Sequence, residues 1–427
     1  MINTIDGYKA YEFGIIPEDW EIKKIGEIFD DLKGGSTPSR KIEKYYTGDI
    51  PWITSGELKY RTIYSTLENI TKEAVRDTNL KIYDEGTFFI AITGLEAEGT
   101  RGSCAITGVK ATTNQSCMAF QPKNNFSNLY LYYWYCLYGD YIGLQYTQGT
   151  KQQSLNNKIV SDIEIPVPKF KEQEKIALIL SSVDEKIEIT DNLIEKTKEL
   201  KKGLMQRLLK KGIGHDRFKD TEIGRIPEEW EVRKLGEICE IKSSKRVYKS
   251  DYVETGVAFY RSKEIIELSK GKAPEIELYI SEEMFDDFKK KYGIPQKGDL
   301  LITSVGTIGK TWVSDGRSFY YKDGNITQIL KNSSINVDFI SYMFDSSVLK
   351  EQYLVQSSGS AQIALTIEKL NKLIIPFPKL EEQEQINLIL SSVDGKIEQY
   401  KSKKEKLQEL KRGLMQKLLT GKIRVKV

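Results

Sequence analysis

Apolar residues recur three and four positions apart in two long segments of the chain. The repeat passes through Ile176, Leu180, Val183 and Ile187 in the first segment and Ile386, Leu390, Val393 and Ile397 in the second. This spacing lines one face of a helix and predicts two long helices. Neither contains a proline, and Gly212 and Gly421 are predicted stops. A helix over 171–210 spans roughly 60 Å, which is long for an element packed inside one compact domain.

The apolar stripe of each segment continues toward its C-terminal end with polar interruptions. Thr190, Lys201, Lys404 and Lys411 occupy positions of this seam. Two equally imperfect seams predict that the helices pair with each other as an antiparallel coiled coil, in which the polar positions set the register. The alternative is that each helix packs separately on its own domain, although the stripe is longer than a domain of about 150 residues requires.

The two segments belong to a repeat with an offset of 210 residues. Residues 168–188 and 378–398 agree at 16 of 21 positions, and residues 14–28 and 224–238 agree at 10 of 15. Between these fixed points the two copies differ almost completely. A tandem duplication of a domain plus a helix, with a common scaffold and a changed working surface, explains this pattern.

The variable regions have the signals of mixed strands and helices. Short apolar runs at 88–93 and 299–305 predict buried strands, and the segments 128–146 and 335–354 predict core helices. We therefore predict a mixed α/β (α+β) fold with two globular domains separated by two long antiparallel helices. The predicted limits are 1–167 for the first domain, 168–213 for the first helix, 214–377 for the second domain, and 378–427 for the second helix and C-terminal tail.

Composition and motifs exclude several classes of protein. With 39% apolar residues, 29% charged residues and a net charge of +3, the chain is an ordinary globular one. It has no apolar run long enough for a membrane span, so we expect a cytoplasmic protein without a membrane partner. One histidine, scattered cysteines and no Pro-Pro leave no catalytic residues, metal ligands or cofactor site to predict.

Polar, basic loops remain as candidates for contact with double-stranded DNA. Arginine and lysine reach guanine or phosphate, serine and threonine bond to either, and glycine permits close approach. The candidates in the first copy are Ser36, Thr37, Arg40, Lys41, Ser55, Lys59 and Arg61. Their counterparts in the second copy are Ser243, Ser244, Lys245, Arg246 and Lys249. For each of these residues, a solvated side chain without a role is the alternative.

A second pair of loops precedes the long helices. It contributes Lys151, Gln152 and Gln153 in the first copy and Ser360 and Gln362 in the second. Glutamine amides can pair bidentately with adenine, so these loops are further candidates for base contacts.

Several motifs together resemble the specificity subunit of type I restriction-modification systems. They are the shared E-Q-x-x-I-x-x-I-L-S-S-V-D stretch, the GLMQ-x-LL close followed by TGKIRVKV, the I-P-x-x-W-E entry, and GGSTPSRK followed by DIPWITSG. The resemblance covers the whole chain. It implies two target recognition domains and a non-catalytic chain that recognises a two-part, asymmetric DNA sequence. It also implies as partners the methyltransferase (M) subunits and the endonuclease/translocase (R) subunit. The second copy lacks the GGSTP loop.

Two other classes of function stay open from the sequence. One is a tandem-repeat adaptor that binds only proteins and has no DNA specificity. The other is part of a single-chain enzyme that modifies DNA, which would require a cofactor domain in addition to the two repeats.

Overall fold

The computed structural model describes residues 7–30, 32–122, 125–147, 153–355 and 364–426. The chain forms two compact units. The first unit contains Met1–Asp191 and Ser402–Val427, and the second contains Asn192–Lys401. The first unit is therefore built from two separate stretches of sequence, whereas the second is continuous.

The first unit combines short strands with four short or medium helices and the start of a long one. Its strands are β1 (Tyr8–Tyr11), β2 (Gly14–Pro17), β3 (Glu21–Lys24), β4 (Lys33–Gly34), β5 (Ile50–Ile53), β6 (Arg61–Ile63), β7 (Asn69–Ile70), β8 (Phe88–Ala91), β9 (Cys104–Thr107), β10 (Thr112–Thr113), β11 (Cys117–Phe120) and β12 (Glu164–Val167). Its helices are α1 (Ile25–Ile28), α2 (Lys72–Asp77), α3 (Asn128–Gln145), α4 (Asn157–Asp162) and the first part of α5 (Phe170–Lys211).

These strands form a five-stranded sheet in the order β4-β11-β8-β9-β6 and a three-stranded sheet in the order β10-β5-β7. The pairs β1-β2 and β3-β12 are antiparallel. All four residues of β8 are buried, as the apolar run at 88–93 predicts. Helix α3 begins after Ser127, whose hydroxyl accepts a hydrogen bond from the amide of Tyr130, and it buries Trp134 completely. The aromatic segment is thus a core helix.

The second unit repeats this architecture with changes. Its strands are β13 (Phe218–Thr221), β14 (Gly224–Pro227), β15 (Glu231–Lys234), β16 (Ile241–Lys242), β17 (Tyr252–Val253), β18 (Val257–Tyr260), β19 (Tyr279–Ile280), β20 (Leu300–Thr303), β21 (Thr311–Val313), β22 (Tyr320–Tyr321), β23 (Ile326–Ile329) and β24 (Ile374–Phe377). Its helices are α6 (Leu235–Ile238), α7 (Ser262–Leu268), α8 (Glu282–Tyr292), α9 (Val337–Asp345), α10 (Ser347–Val355), α11 (Ile367–Lys372) and the first part of α12 (Leu380–Leu418).

The main sheets of the second unit have four strands each, in the orders β16-β23-β20-β21 and β17-β19-β18-β22. Strand β20 is fully buried, as predicted for 299–305. The single core helix predicted over 335–354 is instead two helices. Ser346 between them has extended backbone, and its hydroxyl donates to the carbonyl of Met343, which ends α9.

The long helices α5 and α12 contain 42 and 39 residues. In the first unit, Asp184 and Asp191 of α5 pair with Lys411 and Lys404 of α12 at 2.6 and 2.7 Å. The later residue of α5 pairs with the earlier residue of α12, so the two helices run antiparallel. In the second unit, Lys201 pairs with Asp394 at 2.6 Å, the same interaction with the two helices exchanged. The predicted antiparallel pairing is confirmed.

A tyrosine from each domain completes these ion pairs. The hydroxyl of Tyr133 donates to Asp184 over 2.8 Å, and that of Tyr342 donates to Asp394 over 2.7 Å. The ammonium groups of Lys411 and Lys201 lie 5.3 and 5.1 Å from the centres of the same two rings. A lysine at a seam position therefore finds its charge partner at only one register of the helix pair.

Helix α5 ends at its predicted glycine, whereas α12 ends three residues before its predicted glycine. Helix α5 ends at Lys211 and Gly212 follows with φ +64°, while α12 ends at Leu418 and Gly421 has φ +67°. A Cβ at Gly212 would lie 2.4 Å from a carboxylate oxygen of Glu382, so the close packing here requires glycine.

Glu382 in the first turn of α12 holds the connector that follows α5. Its carboxylate accepts hydrogen bonds from the amide of Ile213 at 2.9 Å and from the indole nitrogen of Trp230 at 2.8 Å, and it lies 2.9 Å from Nε2 of His215. In the first unit, Glu172 occupies the equivalent place and pairs with Arg424 of the C-terminal tail at 2.8 Å. One carboxylate in each unit thus ties a helix start to a distant segment.

We expect Glu382→Ala to lower the free energy of unfolding of the second unit by about 2 to 3 kcal/mol, because it leaves a half-buried cluster of donors without their acceptor. Calorimetry of the full chain measures this as a lower transition temperature. Glu381→Ala is the matched control, since this exposed neighbour has the same position relative to the helix dipole. An equal effect of both substitutions would contradict the role of Glu382.

Candidate nucleic-acid interface

The polar loop of the first unit, residues 35–41, is held against the turn that joins β10 and β11. The amide of Gly35 donates to the carbonyl of Asn114 at 2.9 Å, and the amide of Ser36 donates to that of Thr113 at 3.2 Å. A Cβ at Gly35 would lie only 1.7 Å from the Thr113 carbonyl oxygen, so the approach requires glycine. The loop therefore has a fixed path over the sheet.

Two predicted residues of this loop contact side chains from other parts of the first unit. The hydroxyl of Thr37 donates to Oε1 of Gln115 over 2.6 Å, and both side chains lie at the surface. Ser36 contributes mainly through its backbone, since its carbonyl accepts a 3.2 Å hydrogen bond from the indole of Trp52. Thr37 and Gln115 together form a neutral hydrogen-bonding group, of the kind that contacts bases or phosphates.

Arg40 is the most constrained of the predicted residues. Its Nη1 and Nη2 donate to the two carboxylate oxygens of Glu68 at 2.5 and 2.7 Å. Its guanidinium carbon lies 4.2 Å from the ring centre of Tyr46 and 5.4 Å from that of Trp52. The hydrogen bond with Glu68 raises the pKa of Arg40 and lowers that of Glu68, so both remain charged. The side chain is still 55% exposed.

The other predicted residues of the first copy divide between two places. Lys41 is exposed beside Arg40, and Ser55 lies in a short 3-10 turn, Ser55–Glu57, after β5. The buried carboxylate of Glu57 in that turn accepts the amide of Leu67, which connects the turn to the segment that carries Glu68. Lys59 and Arg61 are exposed at β6, the opposite edge of the five-stranded sheet from β4. The structure does not bring this second group together with the polar loop.

The polar loop of the second unit, residues 243–249, has the same place in the fold. Strand β16 before it pairs with β23, as β4 pairs with β11. The hydroxyl of Ser244 donates to the carbonyl of Tyr321 at 2.6 Å, and Nε of Arg246 donates to Asp323 at 2.8 Å. Ser243 is buried at its hydroxyl, whereas Lys249 is exposed. The two loops are thus equivalent in position but present different side chains.

A group of lysines, of which the sequence analysis singled out only Lys245, lies in this second loop and near it. Its members, which we call the α8 lysine cluster, are Lys242, Lys245, Lys289, Lys290 and Lys291. The ammonium group of Lys245 lies 5.7 Å from the ring centre of Tyr292, and that of Lys242 lies close to Gly293. Lysine runs at a helix C-terminus are also stabilised by the helix dipole. Their combination with exposed tyrosines is typical of a surface that binds phosphates.

The loops that precede the long helices are described only in part. Lys151, Gln152, Ser360 and Gln362 lie outside the described residues. Gln153 is half-buried and its backbone is fixed, because its amide donates to Glu96 at 3.0 Å and its carbonyl accepts the amide of Leu95 at 3.2 Å. The base contacts predicted for these loops remain predictions.

The single histidine and two of the cysteines are held in the fold of the described residues. Within the described ranges, no group of three or more histidine, cysteine or acidic side chains is arranged to hold a metal ion. The single histidine, His215, is engaged with Glu382. In the same ranges, no helix is both long and apolar enough to cross a membrane. Burial raises the pKa of the Cys117 and Cys239 thiols to about 12, so neither is a reactive thiolate at neutral pH.

Comparison with known proteins identifies the family. A family model described as type I restriction modification DNA specificity domain matches residues 17–199 and 227–410. The MjaVIII type I restriction enzyme specificity subunit of Methanocaldococcus jannaschii is 30% identical over all of this chain and 99% of its own length. The EcoR124I/EcoR124II specificity subunit of Escherichia coli is 32% identical over 38% of this chain and 41% of its own.

A solved structure has the same fold. The S subunit of the type I restriction-modification system of M. genitalium superimposes with a TM-score of 0.59 and 18% identity, over 94% of this chain and 96% of that one. Both repeats match the family, and one relative matches along its whole length. The chain therefore belongs to the specificity subunits of type I restriction-modification systems, the non-catalytic components that recognise DNA sequence.

Proposed function

We propose that this specificity subunit recognises a two-part, asymmetric sequence in double-stranded DNA, with one part read by each unit. The observation that carries the proposal is the pair of equivalent polar loops. Both lean on the same turn of a similar sheet, yet one presents Thr37 and Arg40 and the other presents Lys245 and Arg246. A target with two unlike halves requires domains of the same fold whose DNA-contacting loops carry different side chains.

The distribution of charge supports DNA as the ligand. A net charge of +3 on 427 residues decides nothing alone, because what matters is where the charges lie. The α8 lysine cluster supplies five positive side chains, with Lys245 in the second polar loop and the other four near it. Among them only Lys291 has a carboxylate partner in the described structure, Asp287 at 2.8 Å. Such a surface attracts phosphates without regard to sequence, while the loop beside it supplies the groups that distinguish bases.

The long helices supply a surface for protein partners. Leu178 and Leu200 of α5 are 60% and 55% exposed, and their repeat equivalents Leu388 and Leu410 of α12 are 70% and 50% exposed. The first unit presents Leu178 with Leu410, and the second presents Leu388 with Leu200. Packing within the chain gives no reason to keep a large exposed apolar residue in both copies. We therefore assign these leucines to the docking of two copies of one partner, the methyltransferase (M) subunit. The endonuclease/translocase (R) subunit is the further partner that we propose for the complex.

The DNA proposal is tested by mapping methylated sequences made by this chain assembled with its methyltransferase subunits. We expect a two-part target, and we expect Arg246→Ala to relax one position in one part while the other part keeps its sequence. The loss of a base contact lowers discrimination by about 1 to 3 kcal/mol. The isolated chain is the control and should transfer no methyl group. Binding without sequence preference or salt dependence would instead indicate a protein-binding adaptor.

The docking proposal is tested by native mass spectrometry of complexes with the methyltransferase subunit. We expect Leu178→Glu or Leu388→Glu alone to remove one bound copy and the double variant to remove both, since a buried unpaired charge destabilises an apolar contact. Ile189→Gln is the matched control: Ile189 is 51% exposed, but its repeat equivalent is Gln399. Loss of partner from the control alone, or full binding by the double variant, would contradict the assignment.

A further inference from the structure

The guanidinium of Arg40 is held at one edge and on one face. Glu68 binds one hydrogen on each of Nη1 and Nη2, and the ring of Tyr46 covers a face at 4.2 Å. A guanidinium carries five N–H donors, so three remain. Two of these, on Nε and Nη2, form the side edge of the group, and no described residue accepts a hydrogen bond from that edge. An edge with two parallel donors is therefore left open on an exposed side chain.

The groups that hold Arg40 are themselves fixed. The hydroxyl of Tyr46 donates to the carbonyl of Pro38 over 2.6 Å, and Trp52 is buried with its ring edge-on to Tyr46. The backbone carbonyl of Glu68 accepts hydrogen bonds from the amide of Trp52 at 3.2 Å and the hydroxyl of Thr66 at 2.9 Å. A long side chain at a surface is ordinarily free to rotate, but here its orientation is set by the fold.

This arrangement is poorly suited to holding a phosphate. Phosphate binding depends on uncompensated positive charge that displaces counterions, and the negative charge of Glu68 lies 2.5 to 2.7 Å from the guanidinium nitrogens of Arg40. The neighbouring Lys41 has no carboxylate partner among the described residues and fits that role better. Two parallel donors at a fixed angle match the O6 and N7 acceptors of guanine in the major groove.

We infer that Arg40 reads a guanine in the part of the target bound by the first unit, and that Glu68 is the residue that positions it. This role of Arg40 rests on the proposed function, and it specifies guanine as the base and Arg40 and Glu68 as the residues that recognise it. Glu68 fills the donors on one edge, so that only the side edge of the guanidinium is offered to DNA. Discrimination comes from the planar fork, which lysine cannot reproduce.

The second unit uses a looser arrangement. Arg246 is held by Asp323 through Nε alone, and its side chain is 64% exposed. No aromatic ring covers its guanidinium among the contacts of the described residues. The contacts of Glu68 and Tyr46 with Arg40, which we call the clamp, are therefore a feature of the first unit. They are not a property of every arginine in these loops.

The test uses the full chain assembled with its methyltransferase subunits, and duplexes in which each target position is changed in turn. We expect Arg40→Lys to reduce the preference for guanine at one position by about tenfold or more, with the other positions unchanged. Glu68→Ala should weaken the preference at the same position, and the double variant should equal Arg40→Lys, because both substitutions act through one contact.

Lys44→Ala is the matched control, since it removes another exposed ion pair of the same region, the 2.8 Å contact with Glu73, without touching the clamp. It should leave the target sequence unchanged, and thermal unfolding of every variant checks that each one is folded. Equal weakening of every duplex by Arg40→Lys, or a change at a different position for Glu68→Ala, would overturn the inference. Absence of any sequence preference in the unaltered complex would overturn the proposed function itself, and this is seen before any variant is made.

Discussion

A carboxylate at the start of each long helix, buried at Glu172 and half-buried at Glu382, is the constraint that joins each helix start to a distant segment of its unit. Glu172 and Glu382 lie in the first helical turn, where the helix dipole favours negative charge. Glu172 is almost completely buried, so its charge must be paired, and it forms an ion pair with Arg424. Glu382 accepts hydrogen bonds from the indole of Trp230 and from the amide of Ile213 in the connector after α5. Each carboxylate therefore fixes the start of its helix against a segment that is distant in sequence.

The sequence predicts the scaffold well because the scaffold is periodic. Burial on one face of a helix requires apolar residues at regular spacing, and the repeat shows this pattern twice. Even the polar seam positions Lys201 and Lys411 have a visible consequence, since each pairs with an aspartate of the other helix. One prediction fails locally: Ser346 divides the expected core helix at 335–354 because its backbone is extended there.

The candidate site is predicted less completely because its contacts are distant in sequence. Glu68 is 28 residues from Arg40, and Asp323 is 77 residues from Arg246, so no local pattern connects them. Arg61 stands near Arg40 in the chain, yet strand order places it at the far edge of a five-stranded sheet. The three consecutive lysines of α8 can be seen in the sequence. That they form a binding surface follows only from the loop that folds next to them, where Lys245 lies 5.7 Å from the ring centre of Tyr292.

The division of the chain between the units has a consequence for its synthesis. The first unit includes Ser402–Val427, so Met1–Asp191 leaves the ribosome without Lys411, which pairs with Asp184, and without Arg424, which covers Glu172. The second unit is continuous and has all its residues once Lys401 has emerged. Domains that fold during synthesis ordinarily do so from the N-terminus. Here the unit that begins first is completed last, and until then Asp184 and Glu172 lack the partners that Lys411 and Arg424 supply.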